Sequence, residues 1–255
     1  MLIDTHAHLN DDRLIPQCEE IISNMAADGI AAIINVGYDY KSSVYSVELA
    51  DKYKHIYAAV GIHPHDAKTA TGEYYDYFKK AAENIKVVAI GEIGLDYHYD
   101  YSPRDVQARV FVEQLELADH LKLPVIIHLR EAYEDMFKLL NDNKSKLTNS
   151  FVLHCYSGSA EMAESFNSFD CYYSFGGAIT FAKNKDKVIE RIPTDRILLE
   201  TDCPYMTPIP FRGKMNVPKN IFYSAKVLAG FLNITIEELS EITNTNAKRL
   251  FRRLI

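Results

Sequence analysis

The chain has no tryptophan and no long apolar run, and it is sparing with cysteine and with positive charge. A helical membrane span takes about eighteen consecutive apolar residues, and no stretch comes near that length. Asp4 and His6 interrupt the start of the chain, so it does not read as a secretory signal. Cys18, Cys155, Cys171 and Cys203 lie far apart with no Cys-x-x-Cys pair, which argues against a zinc knuckle or a redox dithiol. Buried free thiols in a reducing compartment are expected, hence a cytoplasmic protein with no membrane contact. Lysine and arginine number 28 against 35 acidic residues, a net charge of −7. That excludes a broadly basic surface coating duplex nucleic acid; such a substrate must be held by local contacts or through metal ions. No glycine-rich dinucleotide fingerprint follows the first strand, no linker or low-complexity segment divides the chain, and no obligate protein partner is evident.

What is present is a regular alternation over 255 residues, 47% of them hydrophobic. Strands are predicted at residues 3–9, 31–37, 57–62, 87–92, 124–128, 151–154, 171–175 and 197–202. Helices fall between them, among them 14–29 and 131–146, and two more (220–231 and 235 to the end) follow a Pro-rich loop. Ser102-Pro103-Arg104-Asp105 reads as a capping box opening a long helix to about Lys122. Alternating βα units imply a parallel sheet, and eight in this length fit an α/β protein of the (β/α)8 TIM-barrel class, one domain over 1–255.

Barrels of this class keep their sites at the C-terminal ends of the strands. Those ends carry His6 and His8 (strand one), Glu92 (four), His128 (five), His154 (six) and Asp202 (eight). His6 and His8 are two apart and so share a strand face. Any one of these could be a hydrogen-bonded core residue; six converging nitrogen and oxygen ligands point to metal. Six exceed the needs of a single catalytic zinc, so two divalent ions are expected, with Glu92 bridging them. His6, His8 and Asp202 should hold one ion, His128 and His154 the other.

The motifs His6-Ala7-His8, Gly61-Ile62-His63-Pro64-His65, Gly91-Glu92-Ile93-Gly94-Leu95-Asp96-Tyr97, His128-Leu129-Arg130-Glu131, His154-Cys155-Tyr156-Ser157-Gly158-Ser159, Glu200-Thr201-Asp202-Cys203-Pro204-Tyr205 and Asn246-Ala247-Lys248-Arg249-Leu250-Phe251 resemble, in unbroken order, the TatD-type metal-dependent deoxyribonucleases of the amidohydrolase superfamily. Tyr156 stands where Phe is also common and Cys203 where Ala is common; neither is a ligand position. The resemblance implies phosphodiester hydrolysis, typically nucleotide removal from DNA 3′ ends, with Mg or Mn as the working ion. The ligand set itself also suits Zn, Fe or Ni.

On this reading Asp202 orients or deprotonates the attacking water, and Glu200 on the same face is a base or proton relay, or an ion pair deeper in the barrel. Asp4, deeper still, orients His6. His63 contacts a phosphate or leaving group, or its Pro64 turn is merely structural. Arg130 clamps a phosphate or pairs with an acid such as Glu131. Tyr156 and the Ser157-Gly158-Ser159 helix start offer further substrate contacts, though a plain helix cap looks the same. Tyr97, Tyr99, Tyr101 and Tyr205 could stack on bases or simply pack. Lys183, Lys185 and Lys187 form a solvated helix face or a contact, and Lys248, Arg249, Arg252 and Arg253 complement the last helix dipole. The rival readings are a barrel hydrolysing an amide, a cyclic amide or a tRNA ester, which often carries a carboxylated lysine on strand four, where Glu92 stands and Lys86 comes too early, and a non-enzymatic metal-binding protein.

Overall fold

Short runs of β-branched and small apolar residues form eight strands in the computed structural model, which describes residues 1–254. These are β1 (Leu2–Ala7), β2 (Ile30–Val36), β3 (Ile56–Val60), β4 (Val87–Asp96), β5 (Val125–Arg130), β6 (Phe151–Leu153), β7 (Cys171–Phe175) and β8 (Ile197–Leu199). They lie in sequence order, each parallel to the next. Between β8 and β1 the ring closes outside a regular ladder. Asp202 N–H donates to the His6 carbonyl and His8 N–H to the Cys203 carbonyl, each at 2.8 Å, and the Thr5 hydroxyl donates to the Leu199 carbonyl. The fold is the expected (β/α)8 barrel.

The helices are α1 (Cys18–Asn24), α2 (Tyr40–Lys52), α3 (Gly72–Ala81), α4 (Arg104–Leu121), α5 (Tyr133–Asp142), α6 (Ala160–Phe166), α7 (Lys185–Ile189), α8 (Ile221–Leu232) and α9 (Ile236–Leu250). Among the described residues no helix is long and apolar enough to cross a membrane. Strand side chains alternate, so one set meets the helices and the other the barrel axis. The axial set, including Ile34, Tyr57, Val88, Ile126, Val152, Tyr172 and Leu198, packs with Leu250, Phe251 and Leu254 from the end of the chain. This apolar plug floors the site.

Several local expectations are corrected. The helix predicted over 14–29 begins as a 3₁₀ turn at Ile15–Gln17, where Pro16 has no N–H to give, before α1. The helix predicted over 131–146 spans only α5. Ser102 does not cap α4: its hydroxyl donates to the His65 carbonyl and accepts from Lys68 N–H, tying two mouth loops together. Strand β4 runs four residues past Glu92, because Gly94, Leu95 and Asp96 continue to pair with His128, Leu129 and Arg130. Gly94 has φ +150°, and a Cβ there would collide with the His128 carbonyl. Arg253 does not serve the α9 dipole; it donates to the carbonyls of Ala82, Asn84 and Val87 across the barrel bottom.

Candidate metal centre

Alternation along the strands brings His6 and His8, Glu92, His128, His154 and Asp202 to one point at the C-terminal mouth. Glu92 is the hub. Its Oε1 lies 2.7 Å from His128 Nδ1, 2.8 Å from His154 Nε2 and 3.5 Å from His63 Nε2. Its Oε2 lies 3.4 Å from His6 Nε2 and 3.6 Å from His8 Nε2. Asp202 Oδ1 stands 3.5 Å from His8 Nε2 and 3.9 Å from His6 Nε2. Three groups each bring their ligand atoms within 4.8 Å of one another: His6–His8–Glu92, His6–His154–Asp202 and His63–Glu92–His128. Nitrogens of different histidines face each other directly, His6 Nε2 and His8 Nε2 at 3.0 Å and His128 Nδ1 and His154 Nε2 at 3.3 Å. Two imidazole lone pairs aimed at one point repel unless a proton or a cation sits between them. The donor set therefore fits divalent metal. His63, expected as a substrate contact, lies within this cluster.

Burial opposes ionisation of Glu92, yet the surrounding His154, His63 and His6 hold its carboxyl well below the usual range. The reciprocal effect acts on the imidazoles. Burial works against the charged forms of His154, His128 and His8, but Glu92, with Glu200, Asp96 and Asp202 respectively, lifts them above their ordinary value. Burial takes His63 down to about 3. Raised histidines hold their protons to higher pH than a free imidazole does, and a metal ion must displace those protons. Affinity of the chelator-treated protein for Mn should therefore rise at least about tenfold from about pH 6 to about pH 8, with proton release. Calorimetric titration in two buffers of different ionisation enthalpy checks this; a pH-independent affinity would count against the imidazole ligands.

Behind the cluster stand groups that hold it in place. Asp96 is fully buried and was not foreseen as a site residue. Its Oδ2 accepts from His128 Nε2 at 2.9 Å and from His65 Nε2 at 3.0 Å, while Oδ1 accepts the N–H groups of His98 and Tyr99. Carboxylates in this position fix the orientation of a ligating imidazole. The amide of Gln107 on α4 brackets the Asp96 backbone, and that of Gln114 brackets Ile62, just before His63. Asp96→Asn should weaken metal binding at the His128 side about 10- to 100-fold while keeping the fold, since an amide oxygen still accepts the two N–H groups. Metal titration of the variant measures this, and unchanged affinity would reduce Asp96 to a loop anchor.

Of the two roles expected for Glu200, base or relay and ion pair deeper in the barrel, its placement fits the second. It is fully buried, accepts Cys155 N–H at 2.6 Å and the Ser174 hydroxyl, and stands 3.6 Å from His154 Nδ1. The His154 ring lies between it and Glu92. Asp4 takes the N–H groups of His6 and Thr201 and the Thr201 hydroxyl, so it sutures the β1–β8 seam and does not touch the His6 ring. Burial raises its carboxyl to about 7.

Above the cluster opens a cavity of about 340 Å³ whose walls include Tyr38, Tyr99, Arg130, Tyr205 and Met206. Arg130 reaches it as expected, its guanidinium 4.9 Å from the centre of the Tyr99 ring, and among the described residues no carboxylate pairs with it. Glu131 is taken by His98 instead. Tyr205 is tied by its hydroxyl to Asp11 and lies under Arg13. Two expected substrate contacts do not reach the cavity. The buried Tyr156 ring packs against Tyr173 and its hydroxyl donates to the Ser159 carbonyl; Ser157 shares a hydrogen bond with Tyr133 at the surface. Ser159 is the side-chain cap of α6. Lys185, one of three lysines expected on a solvated face, is buried and donates to the Tyr156 carbonyl.

A (β/α)8 barrel with imidazoles and carboxylates converging at the C-terminal mouth is the architecture of a metal-dependent hydrolase. The chain belongs to the family described as TatD related DNase, whose family model matches residues 3–252. It is 45% identical over 254 residues, 99% of each chain, to the uncharacterized metal-dependent hydrolase YabD of Bacillus subtilis. To the uncharacterized metal-dependent hydrolase YcfH of Escherichia coli it is 31% identical, over 98% of this chain and 95% of that one. Among solved structures, YJJV, a TatD homolog from Escherichia coli, superposes with a TM-score of 0.91 at 31% identity, covering 98% of both chains.

Proposed function

We propose that this hydrolase is a deoxyribonuclease that removes nucleotides from DNA, preferring single-stranded 3′ ends, with two divalent cations as cofactors. The observation that carries the reading is Glu92, whose two oxygens face two different sets of imidazoles beneath an open cavity with an unpaired guanidinium in its wall. His6, His8 and Asp202 would hold one ion, His128 and His154 the other, with His63 in reach of the second and Glu92 serving both. Two divalent ions there, Mg or Mn in catalysis, would supply the positive charge that activates water and neutralises a reacting phosphodiester.

The chain's own residues do the rest. Asp202 is buried, and against that burial its bond to His8 keeps the carboxyl ionised, so Oδ1 can take the proton of the attacking water. Arg130 offers a planar fork to a phosphate oxygen pair. A local clamp of this kind suits a chain of net charge −7, which cannot hold DNA by a basic surface. Lys86 donates to the carbonyls of Tyr53 and Lys54, away from the mouth, and so does not supply the carboxylated lysine that amide-hydrolysing barrels often carry, which supports the nuclease reading. Four free cysteines suit the reducing cytoplasm.

The test is a gel assay of chelator-treated protein on 3′- and 5′-labelled single-stranded oligonucleotides, with Mg, Mn or Zn returned singly. Stepwise, metal-dependent shortening from the 3′ end is expected. No cleavage by metal-loaded protein would overturn the reading in favour of another ester or amide.

A further inference from the structure

Beside the cavity, the loop after β4 exposes two aromatic rings that packing does not explain. Tyr99 and Tyr101 are 45% and 57% exposed, and their rings stack with centroids 5.2 Å apart and planes 25° from parallel. Their neighbour Tyr97 shows what a structural tyrosine looks like here: its hydroxyl donates to Asp135 and Arg104 covers its ring. Among the described residues neither Tyr99 nor Tyr101 gives its hydroxyl to a partner.

The pair is nonetheless held in place. His65, itself bonded to Asp96, meets both rings edge-on, at 5.3 and 4.7 Å. Asp96 accepts Tyr99 N–H, and Lys68 donates to the Tyr101 carbonyl. One carboxylate thus orients His128 in the metal cluster and the loop that presents the rings. Arg130 joins the shelf to the cavity, because its guanidinium lies over Tyr99.

We infer that Tyr99 and Tyr101 form a stacking shelf for an unpaired nucleobase, namely the base of the nucleotide whose phosphate Arg130 holds. This rests on the nuclease reading above and deepens it by naming what selects the substrate. A flat π-face next to an unpaired guanidinium matches the two chemical parts of a nucleotide, base and phosphate. A base inside a duplex has both faces covered by its neighbours and cannot lie on the shelf. Frayed or single-stranded ends are thereby selected without any sequence being read.

The absence of tryptophan supplies the probe. Tyr101→Trp, in an Asp202→Asn background loaded with metal, carries a single indole on the shelf. A single-stranded thymidylate oligonucleotide should quench its emission, and the same oligonucleotide with abasic 3′-terminal residues should not. In the otherwise unaltered enzyme, Tyr101→Ala should lower kcat/KM on the base-bearing strand about tenfold, within the range that base–aromatic stacking contributes. Tyr101→Phe should restore it, and the abasic strand should not distinguish alanine from tyrosine. If the oligonucleotides are cleaved but Tyr101→Ala matches the parent on both and the indole ignores the bases, the shelf is overturned and the nuclease reading stands. If neither strand is cleaved by any metal-loaded form, both fall together.

Discussion

Glu92→Ala should strip the protein of bound divalent metal and lower kcat/KM by at least about a thousandfold. Among the described residues no other carboxylate addresses His63, His128 and His154 as well as His6 and His8. Oε1 addresses His63, His128 and His154, and Oε2 addresses His6 and His8. Removing the carboxylate leaves five imidazoles around a site that has lost its central negative charge. Asp202 remains, 3.5 Å from His8 and 3.9 Å from His6 and grouped with His154, but among the described residues it pairs with neither His63 nor His128. The imidazoles should also lose the field that lifts His154 and His128, so their titration should move down and two cations should no longer be tolerated. Elemental analysis alongside turnover measures the outcome. Two metals retained in Glu92→Ala would show that each half of the cluster is complete without it.

Asp202→Asn should lower kcat by about 10²- to 10⁴-fold, the range that a positioned general base contributes, while losing much less metal than Glu92→Ala. The choice of asparagine follows from the backbone. Asp202 has φ +55°, in the left-handed region that asparagine and aspartate enter more readily than other side chains. Its N–H donates to the His6 carbonyl and its own carbonyl accepts from Tyr205 N–H, so this residue also closes the barrel seam. Alanine there would mix lost chemistry with a strained seam. Asparagine keeps the seam and one coordinating oxygen and removes only the capacity to take a proton. An unchanged kcat with metal in place would pass the role of base to another group.

How far the sequence carried depended on one rule, the alternation of strand side chains. It sets His6 beside His8, and His128 in line with Arg130, from the sequence alone. Asp96 obeys the same rule, four residues beyond Glu92 on one strand, but it lay past the expected end of β4. Gly94 is what lets β4 pass close to the His128 carbonyl and continue. Glu200 shares the face of Asp202, but sharing a face does not say how deep a residue sits. It lies one layer down, covered by His154. Tyr156 and Ser157 follow a ligand directly, yet Cys155 at φ +45° redirects the chain and turns them away from the mouth.

The amino-acid sequence by itself determined the eight alternations, the barrel they close into and the six candidate ligands on five strand ends, because periodicity and strand boundaries are local properties of the chain. Only the tertiary structure decided which oxygen of Glu92 faces which imidazoles, that Asp96 stands behind His128, and which tyrosines reach solvent. These depend on depth along the barrel axis and on contacts between residues far apart in the chain, which no local pattern encodes.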